Sequence, residues 1–426
     1  MRAAWIAAAL LSGVACGGHV LPIPAPASSP PRIDSTRAEA AVRAMTPRVE
    51  AIRGLRFLRP VEVRTVGDEE ARAYVLERLV EFSPRERLEA EETAFVLLGL
   101  LPAGSDLERL FLDAIEEQAG GFYDPDTGSF FLLDDMPASL APALAAHELT
   151  HALEDQHYDL DARLREAIDD DDRFLARSAV HEGSAILVMT IVTAESLRDG
   201  SAPAQDLRDF QESAAGRGEK LAELPPLLER ELLGVYFLGA SFLLRGRPSA
   251  SVASGAFPVE DVRRAYEDGP ESSEQILHPE KYWDPGTFDP PRTVAVPTPP
   301  TAFAEGWTVV ADGVLGELAL GVLTGAPTPE PSSGALVPPS SWTHEAAAGW
   351  GGDRWALWRH HDGRTRAVLD TVWDSEEDAR EFAATIDRPD RVWRRSGDRV
   401  VVIAGDPAAG PVAEALLGVE GAGAGP

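Results

Sequence analysis

The chain has 426 residues, 44% of them apolar, which is enough for at least one large core and more than one ordinary domain needs. Against 70 Asp and Glu stand 39 Lys and Arg, so the formal net charge is −31, a field that repels phosphate backbones and excludes nucleic acid as a natural partner. The one cysteine, Cys16, lies near the N-terminus, which rules out disulfides, a thiol nucleophile or thiolate-held metal in the folded part. Any metal must sit on His and carboxylates.

Residues 1–16 read as an export signal, with Arg2 as the positive start, an apolar run at 3–11 and the small residues Gly13, Val14 and Ala15 before Cys16. Ending at a cysteine resembles a bacterial lipoprotein box, which implies an exported protein held at the cell envelope by its N-terminal lipid alone; an ordinary signal with an incidental cysteine is the plainer alternative. Residues 17–36 are rich in Pro and Ser and predict a tether. No later apolar stretch reads as a membrane span, and 235–244 reads as a buried helix.

Beyond the tether, apolar spacing predicts a helix over 38–52 with a break at Pro47, a strand over 60–66, and helices through residue 79, over 85–101 and over 107–118. The segment GGFYDPDTGSFFLLDD predicts a hairpin whose strands flank the turn at 124–128. A helix follows from 139 through 153, then a loop of about a dozen residues after Leu160. The acidic run 169–172 suits the N-terminus of a helix reaching about 197 and lacks the glycine and closing glutamate of a calcium loop. Helical material continues over 221–244 and 259–266. Proline-rich breaks at 285–300 and 328–341 precede strands at 355–359, 366–373 and 399–404 and a helix at 375–386. The fold class expected is therefore α+β: a predominantly helical domain over 37–290, a smaller α+β domain over 301–417, and a frayed tail over 418–426. In the smaller domain Trp350, Trp355, Trp358 and Trp373 form either core or an aromatic platform for a partner.

His147-Glu148-Leu149-Thr150-His151 lies inside the helix predicted after the hairpin. Positions i and i+4 share a helix face, so both imidazoles can converge on one ion, and Glu148 lies one step round, placed to take a proton from water activated by zinc. The third ligand sets the subclass. His157 has the metzincin spacing, but Glu154 stands where that pattern has its helix-ending glycine, and in a continuing helix His157 would lie about 15 Å along the axis from His147. Glu182, in AVHEGSA on the next helix, is the better candidate if that helix folds back antiparallel with its middle beside the first, Gly183 permitting close approach. His181 points about 100° away, either to support the ligands from behind or to face the surface.

These stretches resemble zincin-like metallopeptidases of the gluzincin type, and within them a group of bacterial exported proteins. The matching segments are GGFYDPDTGSFFLLDD, AAHELTHALEDQHYDL, AVHEGSAILVM and SSEQILHPEKYW. The resemblance implies zinc on His147, His151 and Glu182, Glu148 as general base, a peptide or protein substrate, and a strand at 130–133 that pairs with extended substrate. Where family members carry an acidic residue shortly after the third ligand, this chain has Ser184; Asp155 or a backbone carbonyl could take its place beside a ligand histidine. In SSEQILHPEKYW, His278 or Tyr282 is placed to stabilise an oxyanion; alternatively Glu274, Gln275 and His278 pin the loop. Tyr236 reads as a core tyrosine or a pocket residue. The function expected is that of a lipid-anchored zinc peptidase outside the cytoplasm. The rival is a non-catalytic envelope lipoprotein with a structural metal site and a partner-binding C-terminal domain. The oligomeric state is left open.

Overall fold

The computed structural model describes residues 31–118, 120–200, 223–329 and 338–418, so the expected signal, most of the tether and the last eight residues lie outside the described residues. The final residues of the expected tether belong to the fold: the Ile33 N–H donates to the Met136 carbonyl and the Ala138 N–H to that of Pro31. Asp34 then caps helix α1 (Ser35–Arg53) by accepting from the Arg37 N–H. The break expected at Pro47 does not occur. One missing donor is outweighed by the buried stripe of Ala38, Ala41, Met45 and Val49, and tertiary packing rather than propensity sets the helix.

Next come β1 (Glu62–Val66), α2 (Asp68–Phe82), α3 (Arg85–Leu98) and α4 (Leu107–Gln118), then the hairpin β2 (Gly121–Asp124) and β3 (Ser129–Leu133). The sheet order is β1-β3-β2, with β1 parallel and β2 antiparallel to β3. Both edges of β3 are therefore occupied, so the strand expected to receive a peptide substrate is interior; a peptide added to this sheet would have to pair with β1 or β2.

A 3-10 turn leads into α5 (Ala141–Tyr158), and the loop expected after Leu160 holds a short helix, α6 (Leu160–Arg165). Helix α7 (Asp171–Asp199) begins where the acidic run predicts, with Asp170 accepting from the Arg173 N–H. It is long and apolar enough to cross a membrane by composition, but 89% of that stretch is buried within the protein, as befits a core helix. Helix α8 (Pro226–Leu244) crosses it so closely that the two backbones touch at Gly183 and Gly239. Shorter helices follow: α9 (Ser249–Ala253), α10 (Val259–Glu267), α11 (Ser273–Leu277) and α12 (Glu280–Trp283).

The C-terminal part comprises β4 (Trp307–Gly313), α13 (Gly316–Thr324), β5 (Trp350–His360), β6 (Thr365–Trp373), α14 (Glu376–Thr385), β7 (Arg391–Ser396), β8 (Arg399–Ala404) and α15 (Gly410–Leu417). Its antiparallel sheet runs β4-β5-β6-β8-β7. The four tryptophans named above are buried, as the core reading has it. Trp355 meets Phe95 of α3 edge-on at 5.4 Å, and the hydrophobic core is continuous between the two parts. The fold is α+β, with about 53% of the described residues helical.

Candidate metal centre

Helix α5 places His147 and His151 one turn apart, and α7 brings the middle of its length against them. Glu182 Oε2 lies 3.2 Å from His147 Nε2 and 3.5 Å from His151 Nε2, and the two imidazole nitrogens are 3.0 Å apart. Ligand atoms around a tetrahedral zinc with bonds of about 2.1 Å stand roughly 3.4 Å apart, so this triangle has the size of a metal-ligand set. Neither approach of Glu182 to the histidines is aligned as a hydrogen bond, and both its carboxylate oxygens are buried without one. The two imidazole nitrogens are within hydrogen-bond reach of each other, and the three donor atoms lie close enough together to share one cation. The donor set, two imidazoles and one carboxylate, suits zinc.

The electrostatics agree. Burial works against the charge on Glu182, but His151 and then His147 outweigh it and bring the carboxyl down to about 2. Burial also disfavours a proton on His151, yet Glu182, with Glu148 and Glu154 behind it, raises that imidazole to about 9. His147 is lowered, chiefly by burial. Without a cation, the site thus holds a carboxylate against one protonated imidazole, and a metal would displace that proton.

Glu148 is fully buried one residue from His147, near enough to His151 for its charge to act there. Tyr236 of α8 is also fully buried, with its ring centroid 6.3 Å from that of His147. His181 is neither at the surface nor turned toward the triangle: it packs on the Tyr266 ring at 5.4 Å, and burial lowers it to about 3, so it is neutral. His157 bonds the Arg56 carbonyl at 2.8 Å and stays outside the group. Gly183 faces α8, not α5 as expected: a Cβ there would lie 2.3 Å from the carbonyl carbon of Gly239.

Asp155 does not support a ligand histidine; it accepts from the Tyr123 hydroxyl and the Leu160 N–H. His147 Nδ1 is buried without a hydrogen-bond partner among the described residues. Ser184 bonds Glu154 instead, a link that local sequence spacing does not reveal.

The structure does not bring His278 to this group. Its Nε2 lies 3.1 Å from Glu317 of α13, and its side chain lines a separate cavity of about 760 Å³ with Arg245, Arg247 and Trp283. The Tyr282 hydroxyl donates to the Asp268 carbonyl. Gln275 donates to the Asp289 carbonyl and accepts from the Glu271 N–H, so this segment matches the loop-pinning alternative. A second acidic group, Glu274, Asp289 and Asp374, already has its cation: Lys281 Nζ lies 2.7 to 2.9 Å from all three.

Residues 307–415, covering the C-terminal sheet, match a domain of unknown function, DUF8575. No curated protein and no solved structure matches the chain.

Proposed function

We propose that the protein is a zinc-dependent peptidase, exported and lipid-anchored at the cell envelope, acting on peptide or protein substrates. The observation that carries this reading is the triangle of His147, His151 and Glu182 with a buried carboxylate, Glu148, on the same turn as the first ligand. Zinc, when bound, supplies a Lewis acid and brings the pKa of water down to about 7. His147 and His151 would hold the ion through Nε2 and Glu182 through a carboxylate oxygen. Glu148 has the role of general base: it accepts the proton that water gives up and passes it to the departing amine. The low-dielectric surroundings strengthen each of these charge interactions.

One observation favours the rival, a structural metal: the ligands are nearly closed to solvent, His151 keeping only 7% of its surface. The two readings part at Glu148, because a structural site has no use for a base beside its ligands. Digestion of a broad peptide library by the zinc-loaded protein and by Glu148→Gln separates them. The peptidase reading expects cleavage by the wild type and none by the variant, which keeps its zinc. Equal behaviour of the two proteins contradicts it.

A further inference from the structure

Resting on the metal-centre reading above, we infer that Glu154 is a positioning residue: it cross-braces the two ligand-bearing helices one turn beyond the ligands and so sets the shape of the site. Glu154 lies three residues after His151, about 4.5 Å further along α5, and Ser184 lies two residues after Glu182 on α7. The Ser184 hydroxyl donates to Glu154 Oε1 at 2.5 Å, joining the helices directly. Arg53 Nε, from the last turn of α1, donates to the same oxygen at 2.6 Å. The Tyr266 hydroxyl of α10 donates to Oε2 at 2.6 Å. One carboxylate thus collects donors from three other helices.

All four side chains are buried, so the bonds are shielded from competing water. The brace reaches Glu182 by a second path. The Tyr266 ring stacks on Tyr158 of α5 at 4.8 Å and also meets His181, the residue preceding Glu182, at 5.4 Å. A buried ionic centre of this kind contributes little net stability compared with an apolar filling of the same volume, so its role is sought in how it orients the helices that meet on it. The residue at odds with the metzincin pattern therefore has a task here, which is to let α5 continue and to hold α7 against it.

The test uses the full-length protein, with zinc titrated against a chromophoric chelator and with cobalt(II) in place of zinc as an absorption probe of coordination geometry. Glu154→Gln keeps the shape of the side chain but weakens its acceptance of three donors; Ser184→Ala removes only the direct α5–α7 link. Loss of an outer partner typically lowers metal affinity 10- to 100-fold. The inference expects Glu154→Gln to weaken zinc at least about tenfold and to shift the cobalt spectrum, with Ser184→Ala changing both in the same direction by less. Should Glu154→Gln fail to fold, Ser184→Ala decides. Wild-type zinc affinity and an unchanged cobalt spectrum in Ser184→Ala, whatever the stability of Glu154→Gln, would overturn the inference and leave the brace purely structural. A wild type that takes up no zinc would instead remove the metal-centre reading, and this inference with it.

Discussion

Gly239→Ala tests how the fold holds Glu182 in place. The added methyl would sit 1.9 Å from the Ala179 carbonyl oxygen and 2.7 Å from its carbon, where real Cβ atoms essentially never come within 3.0 Å. Both obstacles are backbone, so no side chain can swing aside, and α7 and α8 must part by about 1 Å. Overpacking of a dense core costs about 1–3 kcal/mol, and the rigid contact puts this variant near the upper end. Helix α7 also carries Glu182, and metal-ligand distances tolerate errors of only about 0.2 Å. The variant should therefore lose about 3 kcal/mol in urea denaturation and bind zinc at least about tenfold more weakly. Ser241→Ala, two residues along the same helix and half-buried, should stay within about 0.5 kcal/mol of the wild type. A Gly239→Ala protein with an unchanged midpoint and unchanged zinc affinity would refute the close-packing argument.

Zinc affinity should rise with pH. His151 holds a proton up to about pH 9 in the metal-free site and Glu182 is ionised above about pH 2, so binding expels one proton. Titrations between pH 6 and 8 should show about a tenfold gain per unit; a flat profile counts against His151 as a ligand. Glu231 gives a stability signature of the opposite sense. It is fully buried, and burial, reinforced by Asp171 and Glu91, raises its carboxyl from 4.5 to about 8. The native state keeps a proton that the unfolded chain releases, so this group's contribution to stability falls as pH rises from about 4.5 through 8. Glu231→Gln should match the wild type near pH 4 and exceed it at pH 8 by on the order of a few kcal/mol in unfolding free energy from urea denaturation. Equal slopes for the two proteins would contradict that.

What was legible in the sequence is what depends on local geometry. The i, i+4 histidines, the hairpin turn at 124–128 and the acidic start of α7 each follow from a single turn of chain and form where their spacing predicts, although α5 continues past the expected end at Leu153 to Tyr158. Glu182 was within reach because its helix is long and strongly apolar and so must pack in the middle of the body. Less visible were features that need a distant partner. The interior place of β3 comes from β1, which precedes it by more than sixty residues, and nothing within 129–133 announces that pairing. Edge strand β7, RVWRRS, carries arginines that keep the sheet edge polar and hide the alternation. Helix α13 is short and glycine-containing, and it is held by bonds such as that of the Leu318 N–H to the Ser273 hydroxyl. Gly183 signalled close approach but not its partner, since which helix lies opposite is decided by the packing of all three.

The central claim is that two imidazoles of α5 and one carboxylate of α7 hold a single zinc ion. Metal content of the purified full-length protein and of Glu182→Ala, measured side by side by elemental analysis after equilibration with zinc, tests it most directly. The account predicts one zinc per chain in the first and well under one in the second, with both proteins folded. Equal zinc in both, or none in either, would contradict it.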